Sequence, residues 1–176
     1  MIIFFIGMKH CGKSTHGRAY ANWKQWDFID TDDWIVEAAN RQTGADDNVR
    51  SLFNRIGAAE FARLEEQAMD RLRQLKCDTV VSMGGRMPVN DRIQEQLREF
   101  GLKVYLQLAP EILFERVKRR GLPSFLDLAR PLESFIELYR QREPYYLRIA
   151  DVVIPLDDLP REAAQKIIFR KIEEKL

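Results

Sequence analysis

Cysteine is scarce in this chain: Cys11 and Cys77 are the only two among 176 residues. One falls in a glycine-lysine loop and the other just before an apolar run. Neither placement suggests a disulfide framework, and a reducing, cytosolic setting fits best. A dominant charge is also missing. Twenty-eight Lys and Arg offset 27 Asp and Glu, for a formal net charge of +1. That balance argues against a protein drawn to nucleic acid or membrane by its overall field. No apolar run approaches the roughly 20 residues a membrane span needs. The N-terminal MIIFFIG is shorter than a signal peptide and lacks its charged leader. Repeats, low-complexity tracts and linkers are absent too. The length of 176 residues suits a single domain with a real core, and the 45% apolar and 31% charged content is ordinary for one.

Continuous apolar runs and helical periodicity alternate along the chain. Ile2 to Ile6, Trp26 to Ile29, Thr79 to Ser82, Lys103 to Leu108 and Asp151 to Ile154 read as five strands, the first and third of them buried. Between them, helical patterns cover Ser14 to Asn22, Trp34 to Asn40, Val49 to Ile56, Ala58 to Gln74, Asn90 to Phe100, Glu111 to Arg120, Leu132 to Arg142 and Pro160 to Lys175. Gly101 stops one of these helices and Pro144 ends another. Gly121 to Ala129 is an apolar loop containing Pro123. The alternation predicts an α/β fold of βαβ units: three layers, with a five-stranded parallel sheet flanked by helices. Ligands of such sheets bind beyond the carboxyl ends of the strands. Here those ends carry GMKHCGKS, DTDD and MGGR.

Gly7, Gly12, Lys13 and Ser14 match G-x-x-x-x-G-K-[ST]. The glycines let the loop curl so that backbone N–H groups face phosphate oxygens, and the following helix adds its positive end. Lys13 would reach the β- and γ-phosphates and the Ser14 hydroxyl would ligate Mg²⁺, with Thr15 next in line at the helix start. A buried strand before the motif and a helix after it make a chance match improbable. His10 and Cys11 occupy free positions of the loop and read as filler. The expected ligands are therefore ATP and Mg²⁺.

Six segments in order resemble the shikimate kinase family: the loop itself, FIDTDDWI, Gly57 to Glu65 (GAAEFARLE), Ser82 to Arg86 (SMGGR), Arg130-Pro131-Leu132, and Arg142-Glu143-Pro144-Tyr145-Tyr146 with Ala150. The resemblance spans nearly the whole chain. It implies a single P-loop kinase domain over 1–176, with acceptor-binding helices at about 33–73 and a lid at about 117–131. By the same resemblance Asp30 holds Mg²⁺ through water, and Asp32 accepts from the acceptor hydroxyl. Gly84 and Gly85 bring backbone to the substrate. Arg130 closes over the transferring phosphoryl group, and Arg142 clamps a carboxylate. Arg120 and Pro160 flank the adenine. The structural reading of the DTDD segment is a helix cap, for which Asp33 is the better candidate. The implied activity is ATP-dependent phosphorylation of shikimate to shikimate 3-phosphate, in cytoplasmic aromatic amino-acid biosynthesis. The implied partner is a small hydroxy acid, with no nucleic acid or membrane, and the protein is a monomer or weak dimer.

The pattern breaks on the acceptor side. The family's arginine after the motif phenylalanine is Ala62 here, a loss worth several kcal/mol of acid binding unless replaced. The third glycine of its G-G-G turn is Arg86, which either supplies the missing charge or narrows the site for a different acid. Arg63 lies about 100° round the helix and is a poorer substitute. The lid loop is longer than expected and apolar. Two other readings stay open: a related kinase whose acceptor is a sugar acid or nucleotide, and a nucleotide-binding regulatory module with little catalysis.

Overall fold

The computed structural model describes residues 1–119, 121–123, 126–157 and 159–176. Strands β1 (Ile2–Ile6), β2 (Asp27–Asp30), β3 (Thr79–Ser82), β4 (Leu102–Gln107) and β5 (Val152–Pro155) form one parallel sheet in the order β2-β3-β1-β4-β5. Strand β1 takes the centre because IIFFI has no polar face to show to water; all five residues are buried. The register pairs Ser82 with both Phe5 and Asp30. The ends of β1, β2 and β3 are therefore level, and the loops that follow them share one edge.

Among the described residues seven α-helices flank the sheet: α1 (Lys13–Lys24), α2 (Thr31–Thr43), α3 (Val49–Leu72), α4 (Asp91–Leu97), α5 (Pro110–Lys118), α6 (Pro131–Ile149) and α7 (Arg161–Glu173). Helix α3 is two helices run together. Gly57 (φ 80°, ψ 172°) breaks it where the sequence changes pattern, in a conformation that side chains rarely adopt. The apolar interior has two parts. The large cluster surrounds the sheet. A separate cluster, centred on Ile35, Ala39, Leu52, Phe61 and Ala68, joins α2 to α3.

Three expectations are corrected. Helix α6 does not end before Pro144 but continues through it to Ile149. An interior proline costs about 3 kcal/mol. Tyr146 and Ile149, 0% and 6% exposed beyond it, each return roughly 1.5–3 kcal/mol by burial, so packing wins. Helix α4 ends at Leu97 rather than Phe100. Asp30, not Asp33, caps α2 by accepting from the Asp32 N–H at 3.1 Å. In the lid segment Leu126 is buried in the main core, whereas Leu128 is 71% exposed.

Candidate active site

A cleft of about 1300 Å³ lies over the common strand edge. The loop after β1 forms its floor. Gly7 and Gly12 have φ of 136° and 104°, and a Cβ on Gly12 would meet the His16 ring at 2.9 Å, so the curl needs glycine there. Lys13 is 8% exposed and its Nζ donates to the carbonyls of Gly7 and Met8 at 3.0 and 2.9 Å. The Ser14 hydroxyl donates to Asp30 Oδ2 at 2.6 Å and lies 3.0 Å from the Ser82 hydroxyl. Ser14 and Asp30 thus present two hard oxygens side by side at the start of α1. That donor set suits Mg²⁺, which takes one or two protein oxygens and leaves the rest to water and phosphate. Among the described residues there is no cluster of three or more His, Cys, Asp or Glu that would form a complete metal cage.

Asp32 faces the loop from the first turn of α2. Burial and the neighbouring Asp30 charge raise its pKa, while Lys13 and Lys9 oppose the rise. It is a better proton acceptor than an ordinary aspartate. The β3 turn presses against it. The Thr31 hydroxyl accepts from the Gly84 N–H at 2.8 Å, and a Cβ on Gly84 would come 2.5 Å from Asp32 Oδ1. Gly84→Ala is expected to displace that carboxylate and lower turnover about 100-fold while the protein stays folded, a result that circular dichroism and a kinetic assay check together. Gly85 lines the cleft, and its carbonyl accepts from the Tyr146 hydroxyl at 2.6 Å.

The far end of the cleft is walled by Phe53, Phe61, Glu65, Arg86 and Arg142. Arg142 lies one helical turn before Tyr146 on α6, so the continuous helix aims both at the β3 turn. Burial, with the nearby Arg86 charge, lowers the Arg142 pKa. Glu65 is 2% exposed, and burial raises its pKa to about 7 against the pull of Arg86 and Arg142. The folded state therefore binds a proton more tightly than the unfolded chain, whose Glu65 titrates near 4.5. Stability contributed by this residue is full below pH 4.5 and falls as pH rises to about 7. Glu65→Gln should gain on the wild type by roughly 3 kcal/mol between pH 5 and pH 8, read from urea midpoints.

Of the residues singled out in the sequence, Gly12, Lys13, Ser14, Thr15, Asp30, Asp32, Gly85, Arg86 and Arg142 line the cleft. Arg130 does not; its side chain is 73% exposed and pairs with Asp127 at 3.7 Å. Pro160 caps α7, and its neighbours Leu159 and Arg161 are the lining residues. Arg120 lies outside the described residues. Sequence reading missed Arg116, which lines the cleft and donates to the His10 carbonyl at 3.2 Å, bracing the phosphate loop. Its signal was present: it follows Leu113 by three residues, beside the buried stripe of α5.

A parallel 2-3-1-4-5 sheet with a glycine-lysine loop after its central strand, and carboxylates from the adjacent strand end, defines a P-loop kinase. The shikimate kinase family model matches residues 9–172. The chain belongs to the shikimate kinase family. It is 36% identical over 171 residues to the shikimate kinase of Legionella pneumophila, covering 96% of this chain and 92% of that one. Against the Aromatoleum aromaticum shikimate kinase it is 32% identical over 154 residues, 88% and 84% of the two chains. The structure of the Acinetobacter baumannii shikimate kinase in complex with shikimate superposes with a TM-score of 0.81 at 27% identity, covering 99% of this chain and 94% of that one.

Proposed function

We infer that the protein transfers the γ-phosphoryl group of ATP to a hydroxyl of shikimate, giving shikimate 3-phosphate. The observation that carries this reading is the sharing of one cleft by Lys13, Ser14 and Asp30 at one end and Asp32, Glu65 and Arg142 at the other. Lys13 exchanges its two carbonyl partners for phosphate oxygens and neutralises charge on the group being transferred. Asp32 orients the attacking hydroxyl and takes its proton. Arg142 binds the acid's carboxylate with a guanidinium fork. Ser14 and Asp30 would hold Mg²⁺, which would supply positive charge against the phosphates. Gly84 and Gly85 bring the β3 turn against the acceptor. Arg116, Leu159 and Arg161 line the side of the cleft left for the base. Arg130, at the foot of the lid segment, contributes only if that segment swings in. No described helix is long and apolar enough to cross a membrane, and a cytosolic enzyme fits a chain with two free cysteines.

A coupled ADP-release assay with shikimate, quinate, gluconate and nucleoside monophosphates tests the assignment. Shikimate should give the highest kcat/KM. Preferred turnover of a nucleoside monophosphate would overturn it.

A further inference from the structure

The acceptor end of the cleft holds two guanidinium groups that no described carboxylate pairs with. Glu143, beside Arg142 in the chain, accepts instead from Tyr105, Gln107 and Tyr139, and on α3 Glu60 is paired with Arg63 and Glu66 with Arg92. Glu65 feels the charges of both Arg86 and Arg142 through space, without an ion pair to either. Two like charges on one partly buried wall repel, and burial already works against the charge on Arg142. An anion placed between them relieves both costs.

Arg86 is held ready for that anion. It sits in an ordinary helical conformation (φ −91°, ψ −27°) at the start of the 3-10 turn Met87–Val89, so its side chain is anchored to a short, fixed segment. Its guanidinium lies 5.1 Å from the centre of the Phe53 ring, and Phe53 is itself packed edge-on against Phe61 at 5.5 Å. A guanidinium held over an aromatic face keeps its N–H edges free to fork onto a carboxylate. On helix α3, Ala62 carries no donor, Arg63 is engaged by Glu60, and Arg50, which also lines the cleft, donates to the Gly121 carbonyl at 3.3 Å.

We propose that Arg86 and Arg142 form a two-arginine clamp for the acceptor's carboxylate, with Arg86 the half that sets specificity in this chain and Glu65 the buried carboxyl behind it. The proposal rests on the phosphotransfer reading above and adds the chemical class of the acceptor. Glu65, its pKa raised by burial to about 7, cancels only part of the charge of the two arginines near neutral pH. The remaining demand suits a monocarboxylate better than a phosphate dianion.

The test compares shikimate with its carboxamide in the wild type, Arg86→Ala and Arg86→Met, the methionine keeping an apolar stem over Phe53. The clamp predicts that both variants lose at least about 30-fold in kcat/KM for shikimate, carried by KM. For the carboxamide they should change by less than about threefold, with KM for ATP unmoved. Arg86→Lys should recover only part of the loss, because an ammonium cannot fork. Equal losses with both acceptors would make Arg86 a structural residue and overturn the clamp. An unchanged KM for shikimate would place the carboxylate elsewhere and also overturn it. Calorimetric binding of the two acceptors repeats the comparison without turnover. If the wild type binds shikimate through Arg86 but never phosphorylates it, the clamp stands and the kinase reading falls.

Discussion

Asp32→Asn lowers kcat by about 10²–10⁴-fold and leaves the KM for ATP within a few-fold of the wild type. Asparagine keeps the shape that Gly84 packs against but cannot take a proton from the acceptor hydroxyl. The carboxylate sits in the cleft with its pKa raised by burial and by Asp30, so it gains basicity in the position where a base is needed. The pH profile carries a second signature. In the wild type, kcat should fall on the acid side as Asp32 protonates, at a pH above that of an ordinary aspartate. That limb should vanish in the asparagine variant. Steady-state assays from pH 5 to pH 9 decide the matter; turnover that survives unchanged removes Asp32 from the chemistry.

Lys13→Met is expected to cost about 10²–10³-fold or more in kcat/KM, with weaker ATP binding. The ammonium is almost wholly buried and donates to the Gly7 and Met8 carbonyls and, at 4.0 Å, to the Cys11 Sγ, partners that it can exchange for phosphate oxygens without moving far. Methionine fills much of the space and supplies no charge. Lys13→Arg should not rescue activity, because the planar guanidinium replaces a compact point charge in a tight loop. Titration with a fluorescent ATP analogue separates lost binding from lost chemistry. Wild-type affinity and turnover in the methionine variant would sink the phosphate-loop assignment.

The fold was legible because its strongest determinants are local. IIFFI can only be a central strand, and the glycine-lysine motif declares its own backbone. The break at Gly57 also showed, as a change of helical pattern. What escaped depended on contacts between distant segments. Pro144 argues for a helix end on any local rule, yet Tyr146 and Ile149 find burial beyond it and the helix runs on. Asp30 and Asp33 both look like caps; the register of β2 against β3 puts Asp30 at the strand end, where its two oxygens serve the Asp32 N–H and Ser14 at once. Which arginines enter the cleft is also a tertiary fact. Arg116 is there through the packing of α5, while Arg130 stands outside beside Asp127. The departures at Ala62 and Arg86 were visible as substitutions. The sequence already suggested that Arg86 answers the loss at Ala62; the position of Phe53 under its guanidinium is what nothing in the spacing of the chain foretells.

The apolar cluster joining α2 to α3 is distinct from the one around the sheet, to which this pair of helices contributes only Met69, Leu72 and, in part, Trp34. This pair of helices therefore behaves as a cassette clipped onto a nucleotide engine. Its own cluster can be rewritten without unsettling the hydrophobic packing beneath the phosphate loop, so long as Trp34, Met69 and Leu72 are kept. A lineage can thereby trade one acceptor contact for another, as Ala62 and Arg86 suggest, and keep the donor machinery intact. Engineers seeking a new acceptor should exchange residues 35–68 together with the β3 turn as one block, because the wall of the pocket is shared between them.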